Sequence, residues 1–275
     1  MDSESPVLAC VDGSSPGLAA VGWAATEAAR RRVPLELLWI YAPVSDRDPA
    51  GGYGTRCLRA ASAVATAAAP ELTVRCVAEP GDVVETLIQR SASSSLVALG
   101  AAGRDRPYLG HVTRMVAARA VSPVVVLRAA DPAPGPVVVG VDDSPAGETA
   151  LAFAAETAAL RQRPLVPVRV WYDRNAESDA EKLLAACAET TASAWPDVDI
   201  LPRLVRQRDE ARGLLGESAD AGLLVVGSHG RRLHTRPILG VTSHEVLERA
   251  RCPVAVVSGV CAGPAARAGG QSILT

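Results

Sequence analysis

The chain repeats itself. Val11-Asp12-Gly13-Ser14 returns as Val141-Asp142-Asp143-Ser144, Trp23-Ala24-Ala25 as Phe153-Ala154-Ala155, and Pro34-Leu35 as Pro164-Leu165, each at an offset of 130 residues. Pro123-Val124-Val125-Val126 returns as Pro253-Val254-Ala255-Val256 at the same offset. A constant offset from the start of the unit to its end means two copies of one domain. With 275 residues, 48% of them apolar, each copy has enough to bury a core of its own. The copies are expected over 1–129 and 136–258, joined by Ala129-Ala-Asp-Pro-Ala-Pro-Gly-Pro136, whose prolines make a short, semi-stiff linker. Residues 259–275, rich in Gly, Ala and Ser, read as a flexible tail.

Within each copy, short aliphatic runs alternate with Ala-rich helical stretches, the pattern of a parallel sheet with crossover helices. The first copy predicts strands near 7–11, 35–41, 72–78, 95–100 and 123–128, with helices near 16–31, 55–68, 81–92 and 111–121. The second predicts strands near 137–141, 165–171, 198–205, 222–227 and 253–257. The fold class is therefore α/β: two tandem open, mostly parallel five-stranded sheets with helices on both faces, Rossmann-like. The final strands end in consecutive aliphatics, through Leu127 and Val257. An exposed apolar edge is a liability, so the two are expected to pair antiparallel and make an internal pseudo-dimer. A further homodimer stays open.

Binding chemistry concentrates between Leu223 and Glu248. Leu-Leu-Val-Val leads into Gly227-Ser-His-Gly230, a nine-residue arm follows, and Gly240 opens a helix through Val241, Thr242 and Ser243. Glycines at both ends of the arm let backbone approach a ligand at the carboxyl end of the strand, where open α/β sheets bind. Free N–H groups at the helix start suit a phosphate. Asp12 and Asp142 stand at the carboxyl end of the first strand of each copy, able to accept from a ligand or to serve the following helix as cap.

The order of these segments, strand-Asp, then strand-G-x2-G-x9-G, helix and a Pro-led last strand, resembles the universal stress protein family in its tandem form. That resemblance implies ATP binding. In the second copy it assigns Val141 and Asp142 to the base and ribose and Val170 to the adenine pocket. It assigns Val226, Gly227, His229 and Gly230 to the ribose and phosphates, and Gly240, Val241, Thr242 and Ser243 to the phosphates. Val241 stands where the family has Ser or Thr, leaving its N–H and the Ser243 hydroxyl for contact. The first copy departs further: Asp12, Gly100, Gly103, Gly110, His111 and Thr113 form a weaker site, because only six residues separate Gly103 from Gly110 and Pro107 stiffens them. ATP is expected in the second copy, with Mg²⁺ where Asp142 or Asp143 helps to hold it. An interaction scaffold with decayed nucleotide sites and a slow ATPase are the alternatives.

Composition narrows the rest. A net charge of −2 gives no cationic field for nucleic acid or membrane, and 3% aromatic residues leave little for base stacking. Lys182 is the sole lysine, and no G-x4-G-K-[ST] occurs, against P-loop chemistry. Gly13-Ser-Ser15-Pro-Gly17 imitates a nucleophile elbow, but Pro16 has no N–H for an oxyanion hole. The histidines, at 111, 229, 234 and 244, lack companion carboxylates or thiolates for zinc. Arg231, Arg232 and Arg236 read either as a neutralising cluster for phosphates or as an exposed loop. The six cysteines show no CxxC pair and read as buried free thiols. No secretory leader or apolar run of spanning length is visible, so a cytosolic protein without catalytic machinery of its own is expected.

Overall fold

The computed structural model describes residues 5–42, 52–101, 109–128, 134–173, 177–229 and 239–259. Gly103, Pro107, Gly230, Arg231, Arg232, His234, Arg236, Cys261 and the segment 260–275 lie outside the described residues. The first half runs β1 (Val7–Cys10), α1 (Ser15–Arg31), β2 (Leu35–Tyr41), α2 (Gly52–Ala68), β3 (Val74–Pro80), α3 (Val83–Ser91), β4 (Leu96–Gly100), α4 (His111–Arg119) and β5 (Val124–Leu127). The second runs β6 (Val137–Gly140), α5 (Pro145–Arg161), β7 (Leu165–Trp171), α6 (Glu177–Ala194), β8 (Arg203–Arg206), α7 (Glu210–Glu217), β9 (Leu223–Gly227), α8 (Val241–Arg249) and β10 (Val254–Val257).

The ten strands form one sheet in the order β3-β2-β1-β4-β5-β10-β9-β6-β7-β8. Strands within each half are parallel, and the halves meet where β5 pairs antiparallel with β10, Val126 opposite Val254 and Val124 opposite Val256. The inner strands β4, β5, β9 and β10 are nearly all aliphatic because helices cover both faces; β3 and β8, at the edges, carry exposed arginines. β8 starts five residues later than the aliphatic pattern predicts. Leu201 N–H bonds the Leu165 carbonyl and Ile200 makes a single bridge to Leu165, but Pro202 has no N–H to continue the ladder.

Helix starts and stops explain where the crevices lie. Ser14 caps α1 by accepting from Gly17 N–H at 3.0 Å, and Ser144 caps α5 the same way through Gly147 at 3.0 Å. Proline stands in the first turn of each, and each helix ends on a left-handed residue, Arg32 at φ 56° and Gln162 at φ 52°. Helices α1, α2, α5 and α6 pack on one face of the sheet, and α3, α4, α7 and α8 on the other.

The halves also meet through charge. Glu27 of α1 is 1% exposed and accepts from Arg31 Nε at 2.8 Å and from Arg161 Nη2, on α5, at 2.9 Å. Arg31 reaches on to Thr157 Oγ1 at 3.1 Å, and each arginine stacks on an aromatic ring of the opposite half, Arg31 on Phe153 and Arg161 on Trp23. Burial alone pushes the Glu27 pKa up, but Arg161 and Arg31 outweigh it and hold the carboxyl below its ordinary range.

The five described thiols are free, as expected, but not uniformly buried. Cys57 and Cys252 are buried, whereas Cys76 is exposed because it lies on edge strand β3. Among the described residues no helix is long and apolar enough to cross a membrane.

Candidate functional site

A crevice of 390 Å³ opens at the carboxyl ends of β6, β7 and β9. β6 lies between β7 and β9, and the chain leaves it in one direction and returns from the other, which parts the connections and leaves a gap. Val168, Val170, Leu214 and Val226 supply apolar wall, while Asp142, Arg169, Glu210, His229 and the first turn of α8 supply polar rim. Its volume falls within the roughly 300–1,000 Å³ of small-molecule sites. Ten of the residues assigned from sequence line it: Val141, Asp142, Val170, Val226, Gly227, His229, Gly240, Val241, Thr242 and Ser243.

Their roles differ from one another. Asp142 Oδ1 accepts from both the N–H and the hydroxyl of Ser144, at 3.1 and 2.5 Å, so Ser144 is the helix cap and Asp142 its buttress. A Cβ at Gly147 would stand 2.2 Å from that oxygen, which is why glycine occupies the first turn of α5. Asp12, Ser14 and Gly17 repeat the arrangement. Gly240 gives α8 no side-chain cap, and the ladder starts with His244 N–H to the Gly240 carbonyl. The amides of Val241, Thr242 and Ser243 stand ahead of it as donors. Val241 is 84% exposed and lines the crevice at the start of α8.

Ser243 departs from its expected role. Its buried hydroxyl donates to the Gly227 carbonyl at 2.6 Å, so the proton that would meet a phosphate is already spent on holding α8 to the end of β9. Thr113 does the same in the first half, donating to the Gly100 carbonyl at 2.9 Å. Gly110 N–H bonds the Ala101 carbonyl at 2.8 Å and Gly240 N–H bonds the Ser228 carbonyl at 2.9 Å. The short arm and the long arm therefore return to the sheet by equivalent bonds, and α4, like α8, starts without a side-chain cap.

Two buried polar atoms of the crevice have no partner. His229 receives one contact, Ser228 Oγ to Nδ1 at 3.0 Å, and its Nε2 is buried and unbonded. Arg169 donates from Nη1 to the Val141 carbonyl at 3.1 Å while its Nε is buried and unbonded. Among the described residues one other buried side-chain polar atom, Ser122 Oγ, is in that state, so two of the three line this crevice. Buried donors and acceptors are nearly always satisfied, and a cluster of exceptions in a cavity calls for a polar ligand. Among the described residues no group of three or more His, Cys, Asp or Glu gathers to hold a metal.

The Universal stress protein family model matches residues 5–128 and matches again over 135–258. The chain belongs to the universal stress protein family. It is 33% identical over 287 residues to a universal stress protein of Mycolicibacterium smegmatis, covering 93% of this chain and 97% of that protein. A universal stress protein of Mycobacterium tuberculosis strain H37Rv is 33% identical over 283 residues, 91% and 96% of the two chains. In fold it is similar to a crystal structure of a universal stress protein from Archaeoglobus fulgidus, with TM-score 0.69 at 19% identity over 92% of this chain and 96% of that one. A putative universal stress protein from Pseudomonas aeruginosa is similar too, at TM-score 0.67 and 16% identity, over 92% and 93%.

Sequence reasoning missed several residues of this family member's crevice, chiefly Arg169, Glu210, Leu214 and Gly147. Arg169 carried a signal: it is the one charge within the buried strand Leu-Val-Pro-Val-Arg-Val-Trp. Glu210 carried none, because a glutamate after Asp209 reads as ordinary first-turn acid on α7.

Proposed function

We propose that this universal stress protein is a cytosolic nucleotide-binding protein of the stress response that takes ATP in the crevice of its second half. The observation that carries the reading is the pair of unbonded buried atoms, Arg169 Nε and His229 Nε2, in residues that line a crevice together with an uncapped helix start. Apolar wall from Val168, Val170 and Leu214 suits the flat base, and the oxygen of Asp142 not engaged by Ser144 can accept from ribose. The amides of Val241, Thr242 and Ser243 suit phosphate oxygens. Gly230 takes its family role at the phosphates on sequence alone. If Mg²⁺ accompanies the nucleotide, it neutralises phosphate charge, and Asp142 is the carboxylate of the crevice nearest the ribose in this reading. The hydroxyl–imidazole contact beside the crevice, Ser228 to His229, has its serine buried and outside the crevice lining, which favours binding over turnover.

The first half is proposed to bind the nucleotide weakly, because Trp39 stands where the second half has Arg169 and the arm from Gly103 to Gly110 is shorter. The seam of β5 and β10 supports an internal pseudo-dimer as the working unit. Titration calorimetry with ATP tests the reading: one equivalent binds per chain, and Arg169→Met weakens it about tenfold, the loss of one charge-assisted hydrogen bond. No heat and no competition in the wild type would favour a scaffold with decayed sites.

A further inference from the structure

The phosphate end of the crevice holds a carboxylate of its own. Thr242, in the first turn of α8, donates its hydroxyl to Glu210 Oε2 at 3.1 Å, and Glu210 lies in the first turn of α7. Both residues line the crevice. The bond fixes the glutamate beside the same amides of Val241, Thr242 and Ser243 that would receive phosphate oxygens. The two halves show that nothing in the fold demands this pair. Asp82 and Asp209 both cap their helices, so Val83 of α3 answers to Glu210; Gly110 and Gly240 both precede theirs, so Val112 of α4 answers to Thr242. Val83 and Val112 are apolar and each packs against the core. The carboxylate and the hydroxyl that bonds to it stand in the second half, in the lining of the crevice.

We infer that Glu210 is a specificity-determining residue that sets how much negative charge the site accepts. The inference rests on the nucleotide reading above. A phosphate bound at the start of α8 competes with Glu210 for the same positive end of the helix and is repelled by it. Adenosine, which carries no phosphate, does not meet that repulsion. Glu210 therefore shifts the crevice toward nucleosides and singly phosphorylated nucleotides, relative to what a neutral residue there would give. Because Glu210 is exposed, the selection is modest and is screened by salt.

The experiment measures dissociation constants of adenosine, AMP and ATP in EDTA, at low and at high salt, for the wild type and for Glu210→Gln. The substitution keeps an acceptor for Thr242 and removes the charge, on an exposed first-turn residue that Asp209 caps independently. The expected result is that ATP tightens about fivefold relative to adenosine in Glu210→Gln at low salt, with AMP between them, and that the gain shrinks at high salt. If all three ligands bind and their ratios are the same in both proteins, the role of Glu210 is overturned while nucleotide binding stands. If no ligand binds either protein, both ideas fall together.

Discussion

Replacing Glu27 by glutamine should unfasten the two halves. The substitution keeps the volume and an acceptor oxygen but removes the charge between Arg31 and Arg161, whose side chains are both 9% exposed. Two guanidiniums would then face each other across α1 and α5 with no carboxylate, although Arg31 keeps Glu156 at 3.3 Å. Removing one partner of a buried ion pair costs about 3–5 kcal/mol, a large share of the roughly 5–15 kcal/mol that holds a domain folded. At roughly 2–4 °C per kcal/mol, the melting temperature should fall by about 6–20 °C. The pH dependence has a definite sign. The folded Glu27 pKa is lowered, so its contribution is fully present above the unfolded value of about 4.3 and is lost as pH falls through the folded value. The gap between wild type and variant in a thermal melt should be constant from neutrality down to about pH 5 and should close in acid. Replacing all three charges together, as Glu27→Leu, Arg31→Met and Arg161→Met, should recover most of the loss, because it removes the desolvation cost with the attraction. A Glu27→Gln protein that loses less than about 1 kcal/mol at pH 7 would refute the argument.

Three further tests address the crevice and its surroundings. Gly147→Ala drives a methyl into Asp142 Oδ1, and should cost about 1–3 kcal/mol in denaturant melts and weaken ATP in calorimetry; unchanged values in both would show that Asp142 moves aside freely. Ser144→Ala removes the α5 cap and should cost about 1 kcal/mol, read by urea unfolding, with Ser144→Thr, which keeps the hydroxyl that donates to Asp142, restoring part of it. In mass-spectrometric alkylation at pH 7.5, Cys76 should label before Cys10, Cys57, Cys187 and Cys252. Its thiol is exposed, while burial, with Asp12 adding to it, pushes Cys10 up to about 12, and burial pushes Cys252 up to about 11.

The repeat and the aliphatic runs made the strands legible, because four buried aliphatics in a row admit few other readings. β2 and β7 match the expected spans residue for residue. β8 was misplaced because Val198 and Ile200 continue the aliphatic pattern whereas the ladder depends on backbone N–H groups, and Pro202 lacks one. The crevice was legible where it is built from backbone-specific residues such as Gly227 and Gly240. It was not legible at Glu210 and Leu214, whose presence follows from how α7 packs around β6 and β7, and Arg169 was marked only as the one charge in an apolar strand. The Ser243 hydroxyl was assigned to ligand because sequence shows which groups exist but not which are already engaged.

The antiparallel seam between β5 and β10 has one more consequence. All strands of the first half run one way and all strands of the second run the other, so their carboxyl ends face opposite margins of the common sheet. The Asp12 turn and the Asp142 turn therefore look out in opposing directions, with the full length of the strands between them. A partner that seats itself over one margin leaves the other uncovered. The crevice beside Asp142 opens on one margin, and the turn that holds Asp12 stands on the other.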